Sequence, residues 1–284
     1  MSEFKDKSVI VTGSSSGIGE VIAISYASKG ANVTLCGRDS QRLHDAAEKC
    51  KKAGAAAGNS IKTVEAAGDI TDSRVQEEII QKTVEAFGKL DILVVNHGLV
   101  LSYEPSLDEC TEENFDATIN TNLKAALFLI KKAVSHLEKT RGSIVCVSSI
   151  GTKVTCCYLI SQSLSKVAMD HMVRILSLQL GPKGIRINTV NPTWVQSRIS
   201  RETGSAAAGG VFEAVGKLML SETPLKDQVS GPEEQADVVL FLSSHAARMI
   251  NGETIVVDGG LVNKGHPCNF QSLLRGIVPP PKQT

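Results

Sequence analysis

The fold is decided by Thr12-Gly13-Ser14-Ser15-Ser16-Gly17-Ile18-Gly19, which joins an apolar strand at 8–12 to a helix. Gly13 permits a sharp turn, Gly17 allows close backbone approach at the start of the helix, and Gly19 lets helix and strand pack tightly. Unpaired N–H groups and the helix dipole favour an anion at such a helix N-terminus. The turn therefore predicts a pyrophosphate site, with the three serine hydroxyls of the turn as further contacts.

Apolar strands alternate with segments of helical period along the rest of the chain. Strands are predicted at 8–12, 32–36, up to 66, 91–96, 143–147, 185–190 and 253–257, and helices from 17 and at 40–53, 73–87, 112–137, 161–180 and 232–243. This alternation implies a parallel sheet covered by helices on both faces. We predict a single doubly wound α/β domain with a seven-stranded parallel sheet.

The amino-acid composition indicates which kinds of binding partner to expect. The 284 residues carry a formal net charge of zero, so we expect no nucleic acid and no membrane surface as the main partner. The first residues are polar and no apolar run reaches the ~18 residues that span a bilayer, so a cytoplasmic location is expected. Seven cysteines without framework spacing and six histidines without ligand spacing predict neither disulfides nor a metal site.

Six further motifs follow the glycine-rich turn in order. They are Asp69-Ile70, Asn96-His97-Gly98, Asn122-Leu123, Ser148-Ser149, Asn191-Pro192-Thr193 and Asp258-Gly259-Gly260. With the turn, they resemble the short-chain dehydrogenase/reductase family up to about residue 262. The resemblance implies a Rossmann-type domain over 1–262, with a substrate flap at about 197–231 and a C-terminal extension at 263–284. It also implies a nicotinamide cofactor, a small-molecule carbonyl or alcohol substrate, and a homodimer or homotetramer in which the 112–137 and 161–180 helices pair.

The resemblance also places cofactor contacts beyond the turn itself. They are Asp69 and Ile70 near adenine, Asn96 and Gly98 after the fourth strand, Lys166 at the nicotinamide ribose, and Pro192 and Ser197 beside the nicotinamide. NAD-preferring members carry an acid at the end of the second strand, where this chain has Cys36-Gly37-Arg38. Because the planar guanidinium of Arg38 suits a 2′-phosphate, we predict NADP(H) in preference to NAD(H).

The family's catalytic tyrosine is replaced in this chain. Members of the family carry a tyrosine four residues before a lysine on one helix face, and a serine thirteen residues before that tyrosine. Here Ser149 and Lys166 fit that spacing, Asn122 falls on the family's asparagine, and Gln162 stands at the tyrosine position. A glutamine amide donates a hydrogen bond but delivers no proton near neutral pH. The alternatives are an NADP(H)-dependent oxidoreductase with a non-standard or impaired proton donor and a catalytically inactive NADP(H)-binding scaffold or sensor.

Three substitutes for the tyrosine stay open. The first is Tyr158, one helical turn before Gln162. The second is His97, beside the expected nicotinamide, because a histidine can donate a proton at physiological pH. The third is Lys166, acting through a water. Two departures from the family pattern, Val95 and Thr193, also alter the site. An apolar substrate lining is suggested by Leu99, Val100, Leu101, Val154, Trp194 and Val211.

Overall fold

The computed structural model describes residues 3–101, 104, 106–155, 159–195, 216–225 and 230–264. It contains seven strands: β1 (Ser8–Thr12), β2 (Asn32–Gly37), β3 (Thr63–Ala67), β4 (Ile92–Val95), β5 (Ser143–Val147), β6 (Arg186–Pro192) and β7 (Thr254–Val257). All pair in parallel, in the order β3-β2-β1-β4-β5-β6-β7. The predicted doubly wound, seven-stranded parallel sheet is confirmed. The strand order reverses between β1 and β4, where such sheets open a crevice at their carboxyl ends.

Helices cover both faces of this sheet. They are α1 (Gly17–Ser28), α2 (Ser40–Ala56), α3 (Ser73–Phe87), α4 (Glu112–Ile119), α5 (Ala125–Thr140), α6 (Ile160–Leu180) and α7 (Pro232–Ser243). Helices α1, α2 and α7 enclose one apolar cluster around Tyr26, whereas α3, α5 and α6 enclose the other around Leu129 and Met169. Because both faces are covered, β1 and β5 are buried along their whole length, which explains their continuous apolar runs.

The predicted helix at 112–137 differs from the observed one by an internal irregularity. A π-helical turn, Asn120–Lys124, separates α4 from α5, and the helical path then continues to Thr140. Asn122 lies in this turn with its side chain fully buried. Such turns are rare and occur mostly near functional sites. Helical periodicity alone does not reveal them, because one extra residue barely changes the apolar pattern.

Strand β6 is longer than the predicted 185–190 segment because it continues through Asn191 and Pro192. Its ladder with β5 ends at Val190, and beyond that residue only β7 pairs with it, as far as Pro192 opposite Val257. A proline lacks an N–H, so it fits where one neighbouring strand has already ended.

The predicted flap and extension are described only in part. Residues 216–222 are helical, whereas 197–215, 226–229 and 265–284 lie outside the described residues. None of the helices in the described part of the chain is long and apolar enough to cross a bilayer.

Candidate active site

A large cleft of about 1420 Å³ opens at the carboxyl ends of the strands. The predicted site residues that line it are Gly13, Ser15, Ser16, Gly17, Ile18, Arg38, Asp69, Ile70, Asn96, Gly98, Asn122, Ser149, Gln162, Lys166 and Pro192. Gly19 is buried beneath the turn instead of lining the cleft. Ser197 and Tyr158 lie outside the described residues. The fold thus brings residues from six strand ends, two helices and the π-helical turn to one place.

The glycine-rich turn has the backbone that a phosphate cradle requires. Gly13 and Gly17 have φ values of +65° and +61°, a region that favours glycine. A Cβ on Gly19 would overlap the Gly13 carbonyl and the Asn96 amide, so only glycine fits there. Ser16 is the N-cap of α1 and its hydroxyl makes no capping bond. The N-terminus of α1 therefore presents N–H groups and its dipole to an anion in the cleft.

Thr12 holds the turn against the end of β4, a role that sequence reasoning missed. Its hydroxyl oxygen accepts hydrogen bonds from the backbone N–H groups of Asn96 (3.0 Å) and His97 (3.2 Å). The Asn96 amide in turn donates to the carbonyls of Thr12 (3.0 Å) and Gly13 (3.2 Å). The partners are more than 80 residues apart in sequence, and the only sequence signal was the position of Thr12 directly before Gly13.

The serines of the turn do not all face the cleft as predicted. Ser14 is buried, its hydroxyl accepts a hydrogen bond from the backbone N–H of Cys36 (2.9 Å), and its own N–H donates to the Cys36 carbonyl (3.1 Å). The expectation of a phosphate contact from Ser14 is therefore wrong, because this side chain is used to fasten the turn to β2. Ser15 and Ser16 do line the cleft.

Two arginines stand where the cleft meets the end of β2. Arg38 is exposed, lines the cleft and forms no ion pair with any residue that the structure describes. Arg42 also lines the cleft and pairs with Asp39, 3.0 Å between Nε and Oδ2. The Asp39 carboxylate also caps α2 by accepting from the Arg42 N–H. The only acid in this segment is thus neutralised locally, which leaves the edge of the cleft net positive.

Ser149, Gln162 and Ser163 converge on Gly151. A Cβ built on Gly151 would lie 3.3 Å from Ser149 Oγ, 3.7 Å from Ser163 Oγ and 3.8 Å from Gln162 Oε1. Ser149 Oγ accepts a hydrogen bond from the Gly151 N–H (3.0 Å), which fixes the serine rotamer. The Gln162 side chain therefore points into the same corner of the cleft as Ser149, so the spacing of thirteen residues brings the two side chains together in space.

Lys166 lies below this corner and is buried. Its ammonium donates to the Val147 carbonyl at 2.8 Å. Burial lowers the pKa of Lys166 to about 8, and the nearby Cys146 and Asp170 oppose that shift. A lysine with this pKa carries a proton that is only weakly held near neutral pH, and its position in a cleft is typical of a functional group.

His97 is buried beside Thr12 and is a poor candidate for the proton donor. Its Nδ1 lies 2.8 Å from the Thr12 hydroxyl, and its Nε2 has no hydrogen-bond partner among the described residues. Burial, followed by the positive charge of Lys166, lowers the pKa of the imidazole to about 3. Since the ring is neutral at physiological pH, the structure disfavours the hypothesis that an imidazolium replaces the tyrosine.

Asn122 ties three parts of the site together. Its side-chain carbonyl accepts from the Leu99 N–H (2.7 Å), and its amide donates to the Leu99 carbonyl (3.1 Å) and to Ser165 Oγ (3.0 Å). The Ser165 hydroxyl donates to the Gln162 carbonyl at 2.7 Å. A short chain of hydrogen bonds therefore runs from the segment after β4, through the π-helical turn, to the backbone of Gln162.

Glu104 is a second anchor that the sequence did not reveal. Its carboxylate is 1% exposed and accepts hydrogen bonds from both the N–H (2.9 Å) and the hydroxyl of Ser161. Ser161 lies in the first turn of α6, directly before Gln162. A carboxylate is favourable there because it satisfies unpaired N–H groups at the positive end of the helix dipole.

Comparison with known proteins shows the family. A family sequence model described as Enoyl-(Acyl carrier protein) reductase matches residues 13–262. The chain is 32% identical to a short-chain dehydrogenase/reductase of unknown function from Caenorhabditis elegans, solved with cofactor, with a TM-score of 0.79 over 91% of this chain and 96% of that one. The chain belongs to the short-chain dehydrogenase/reductase family. It is therefore of an oxidoreductase type that acts on alcohols and carbonyl compounds.

Two further relatives within the short-chain dehydrogenase/reductase family carry more specific names. An L-rhamnose 1-dehydrogenase (NAD(P)(+)) of a Sphingomonas species is 30% identical over 92% of this chain and 98% of the relative. The glucose dehydrogenase of Caenorhabditis elegans, solved in its apo form, is 34% identical with a TM-score of 0.73 over 91% of this chain and 98% of that one. These similarities support a nicotinamide cofactor and a small-molecule substrate, in agreement with the cleft.

Proposed function

We propose that this protein is an NADP(H)-dependent oxidoreductase acting on a carbonyl or secondary alcohol, with an impaired proton donor. The observation that carries the proposal is the cleft itself. There the turn, with its required glycines, lies in the same cavity as Ser149, Gln162 and Lys166. When bound, NADPH supplies a hydride to the carbonyl carbon. The substrate oxygen takes a proton, so that the products are the alcohol and NADP⁺.

The residues of the chain have distinct proposed parts in this reaction. The turn and the N-terminus of α1 bind the pyrophosphate, and Lys166 moves from the Val147 carbonyl to the nicotinamide ribose. Asp69 and Ile70 contact the adenine, and Asn96, Gly98 and Pro192 shape the cofactor path. Ser197 is proposed at the carboxamide from the resemblance alone. Ser149 donates a hydrogen bond to the substrate oxygen, and Asn122 positions α6 through Ser165.

The preference for NADP(H) over NAD(H) rests on the arginines at the end of β2. A 2′-phosphate adds up to two negative charges, and a free guanidinium binds such a group through charge-assisted hydrogen bonds. Arg38 is available for this contact, while Asp39 is paired with Arg42 and does not repel the phosphate. NAD(H) lacks that phosphate and gains nothing from Arg38.

Gln162 supports the second candidate function, an inactive NADP(H)-binding scaffold or sensor. By the proposed alignment, Gln162 stands where the family has its tyrosine. An amide does not act as a proton donor near neutral pH. A neutral His97 offers no substitute, whereas Lys166 has a proton that a water can carry to the substrate. The oxidoreductase remains our proposal because Ser149 and Lys166 keep the positions that turnover requires.

We further propose a homodimer or homotetramer and a domain division at about residue 262. Helices α5 and α6 leave apolar side chains in solvent, including Phe128, Leu164 and Val167 at 41%, 51% and 47% exposure. Such faces are covered by a second subunit in many oligomers. The domain proposal, 1–262 with a flap at about 197–231 followed by an extension at 263–284, rests on the resemblance.

Calorimetric titration with NADPH and NADH tests the proposed function. We expect saturable binding of NADPH, tighter than that of NADH by about tenfold or more, because of the extra charge-assisted contacts. Arg38→Ala is expected to abolish this preference while leaving NADH affinity unchanged. Arg248→Ala, an exposed arginine outside the cleft, is the matched control. Equal affinity for the two nucleotides would remove the NADP(H) assignment, and no binding of either would remove the function.

A further inference from the structure

The two halves of the cleft differ in polarity, and this difference bears on the substrate. We infer that the substrate half accepts a compact apolar ketone or aldehyde and excludes polyhydroxylated sugars. The inference rests on the proposed function, because it concerns the substrate of the same site. It departs from the two relatives named as sugar dehydrogenases, so it is not carried over from them.

Charged side chains are concentrated in the nucleotide half. Of the residues that the structure describes, seven charged ones line the cleft: Arg38, Asp39, Arg42, Asp69, Lys124, Lys132 and Lys166. Three of them follow β2 and one follows β3. Lys124 and Lys132 belong to the segment that packs beside α3, as shown by the hydrogen bond from the Gln76 side chain on α3 to the Ala125 carbonyl. Only Lys166 lies at the other half, at its floor. The charged side chains therefore lie where the nucleotide is proposed to bind, and not where the substrate is proposed to bind.

The walls of the substrate half are apolar in the part of the chain that the structure describes. They are formed by Leu99, Val100 and Leu101 after β4, Ile150 and Val154 after β5, Leu159 before α6, Trp194 and Val195 after β6, and Met219. Among the polar side chains that line this half, Ser149, Gln162 and Ser163 gather around Gly151, and Thr193 lies directly before Trp194. A few polar groups among several apolar walls fit a ligand that has a single oxygen and a hydrocarbon body.

A sugar would be poorly bound between these walls. Each of its hydroxyl groups loses water on entering the cleft, and a hydroxyl left without a partner lowers affinity by about tenfold. An apolar body instead gains affinity in proportion to the area that it buries. Ser149 and Gln162 serve one substrate oxygen, and among the described residues few other polar side chains remain for the several hydroxyls of a sugar.

Trp194 is the wall residue whose fluorescence can report ligand binding in the substrate half. It is the only tryptophan in the chain, so tryptophan emission, excited apart from that of the three tyrosines, reports on the surroundings of this one side chain. Its indole packs against the backbone of the 216–222 helix, because a Cβ built on Gly216 would lie 2.6 Å from Trp194 Cη2. The ring is thus held between that helix and the cleft, and a ligand on its open face changes its surroundings.

The experiment is a titration of the full-length protein followed through Trp194 emission, with and without saturating NADP⁺. The probes are trans-1-decalone, an apolar bicyclic ketone, and D-glucose, with N-acetyltryptophanamide as the control for collisional quenching. We expect a saturable change with decalone and none with glucose up to its solubility limit. Saturable binding of glucose, or a decalone response no greater than that of the control, would overturn the inference.

A matched pair of variants places the ketone in the cleft. Met219→Gln makes one wall polar at nearly constant volume, and we expect it to weaken decalone binding by about fivefold. Met249→Gln makes the same change at a residue that is 89% exposed outside the cleft, and is expected to leave binding unaltered. Equal effects of the two variants would contradict the assignment.

The outcomes separate this inference from the proposed function. NADPH binding is followed in parallel by calorimetry. If NADPH binds and glucose saturates the Trp194 signal, the substrate class is wrong and the proposed function stands. If decalone saturates but neither nucleotide binds, the apolar pocket stands and the proposed function is wrong.

Discussion

At residue 162 the chain carries an amide that faces Ser149 across Gly151, in a corner otherwise suited to a carbonyl oxygen. By the proposed alignment, Gln162→Tyr restores a hydroxyl that exchanges a proton, next to a lysine that lowers the pKa of that hydroxyl. We expect NADPH oxidation with decalone to rise by roughly 10²-fold or more, since general acid catalysis contributes that much.

Gln162→Phe is the matched control for this gain, because it adds the ring without the hydroxyl. Both variants are compared at saturating NADPH, so that a change in cofactor affinity does not enter. A tyrosine variant that binds NADPH and decalone yet reacts no faster than the phenylalanine variant would show that other positions, such as Thr193, also prevent turnover.

A second prediction at the residue scale concerns His97 and pH. Burial lowers the pKa of the folded imidazole from 6.5 to about 3. Between these values the unfolded chain takes up a proton that the folded chain refuses, so the free energy of unfolding falls as pH falls. The slope from this group approaches ~1.4 kcal/mol per pH unit.

Urea unfolding from neutral pH down to about pH 5 measures that slope. His97→Ala is expected to flatten it, whereas His245→Ala, an exposed histidine, is expected to leave it unchanged. The alanine variant also loses packing, so the comparison is of slopes rather than of absolute stabilities. Parallel curves for the wild type and His97→Ala would contradict the buried, neutral imidazole.

At the scale of elements, the side chain of Asn122 ties the π-helical turn to the segments on either side of it. Asn122 uses both ends of its amide to fix Leu99 and reaches Gln162 through Ser165. Asn122→Leu keeps the side-chain volume and removes these hydrogen bonds. We expect the Leu99 amide, which loses its acceptor, to exchange with deuterium faster by about tenfold or more, with little change in the β1 amides.

Hydrogen–deuterium exchange with peptide mass spectrometry measures this change directly. A companion variant, Asn114→Leu, places the same substitution on α4, outside the turn, and controls for a general loss of stability. Unaltered exchange over 97–101 in the Asn122 variant would show that this segment is held by packing alone.

The sequence predicted the regular elements well and their irregularities poorly. Short apolar runs located all seven strands, because burial on both faces of the sheet imposes such runs locally. The bonds of Thr12 to Asn96 and His97, and of Glu104 to Ser161, join residues 57 to 85 positions apart. Their formation depends on how the elements pack, and no local pattern encodes that. Ser14 illustrates the limit, because its neighbours in the turn face the cleft while it faces β2.

At the scale of the whole molecule, charge and apolar surface are separated. The nucleotide end of the cleft is rich in arginine and lysine, although the chain as a whole has no net charge. A polyanionic cofactor is therefore attracted to one end of a neutral protein. The opposite end of the cleft carries the apolar walls, which match the apolar substrate that we infer.

The exposed stripe on α6 gives the prediction for assembly. Leu164, Val167, Ile175 and Leu178 recur at helical spacing and are 46–79% exposed, which is costly for a monomer in water. We expect the wild-type protein to sediment as a dimer or larger species, because a two-fold axis lets the stripe pack against the same stripe of a second copy.

The double variant Leu164→Glu, Val167→Glu buries like charges at that axis and is expected to sediment as a monomer. Leu107→Glu places the same charge on another exposed leucine, 77% exposed, and is expected to stay assembled. A monomeric wild type, or a double variant that remains assembled, would show that the stripe is not the interface.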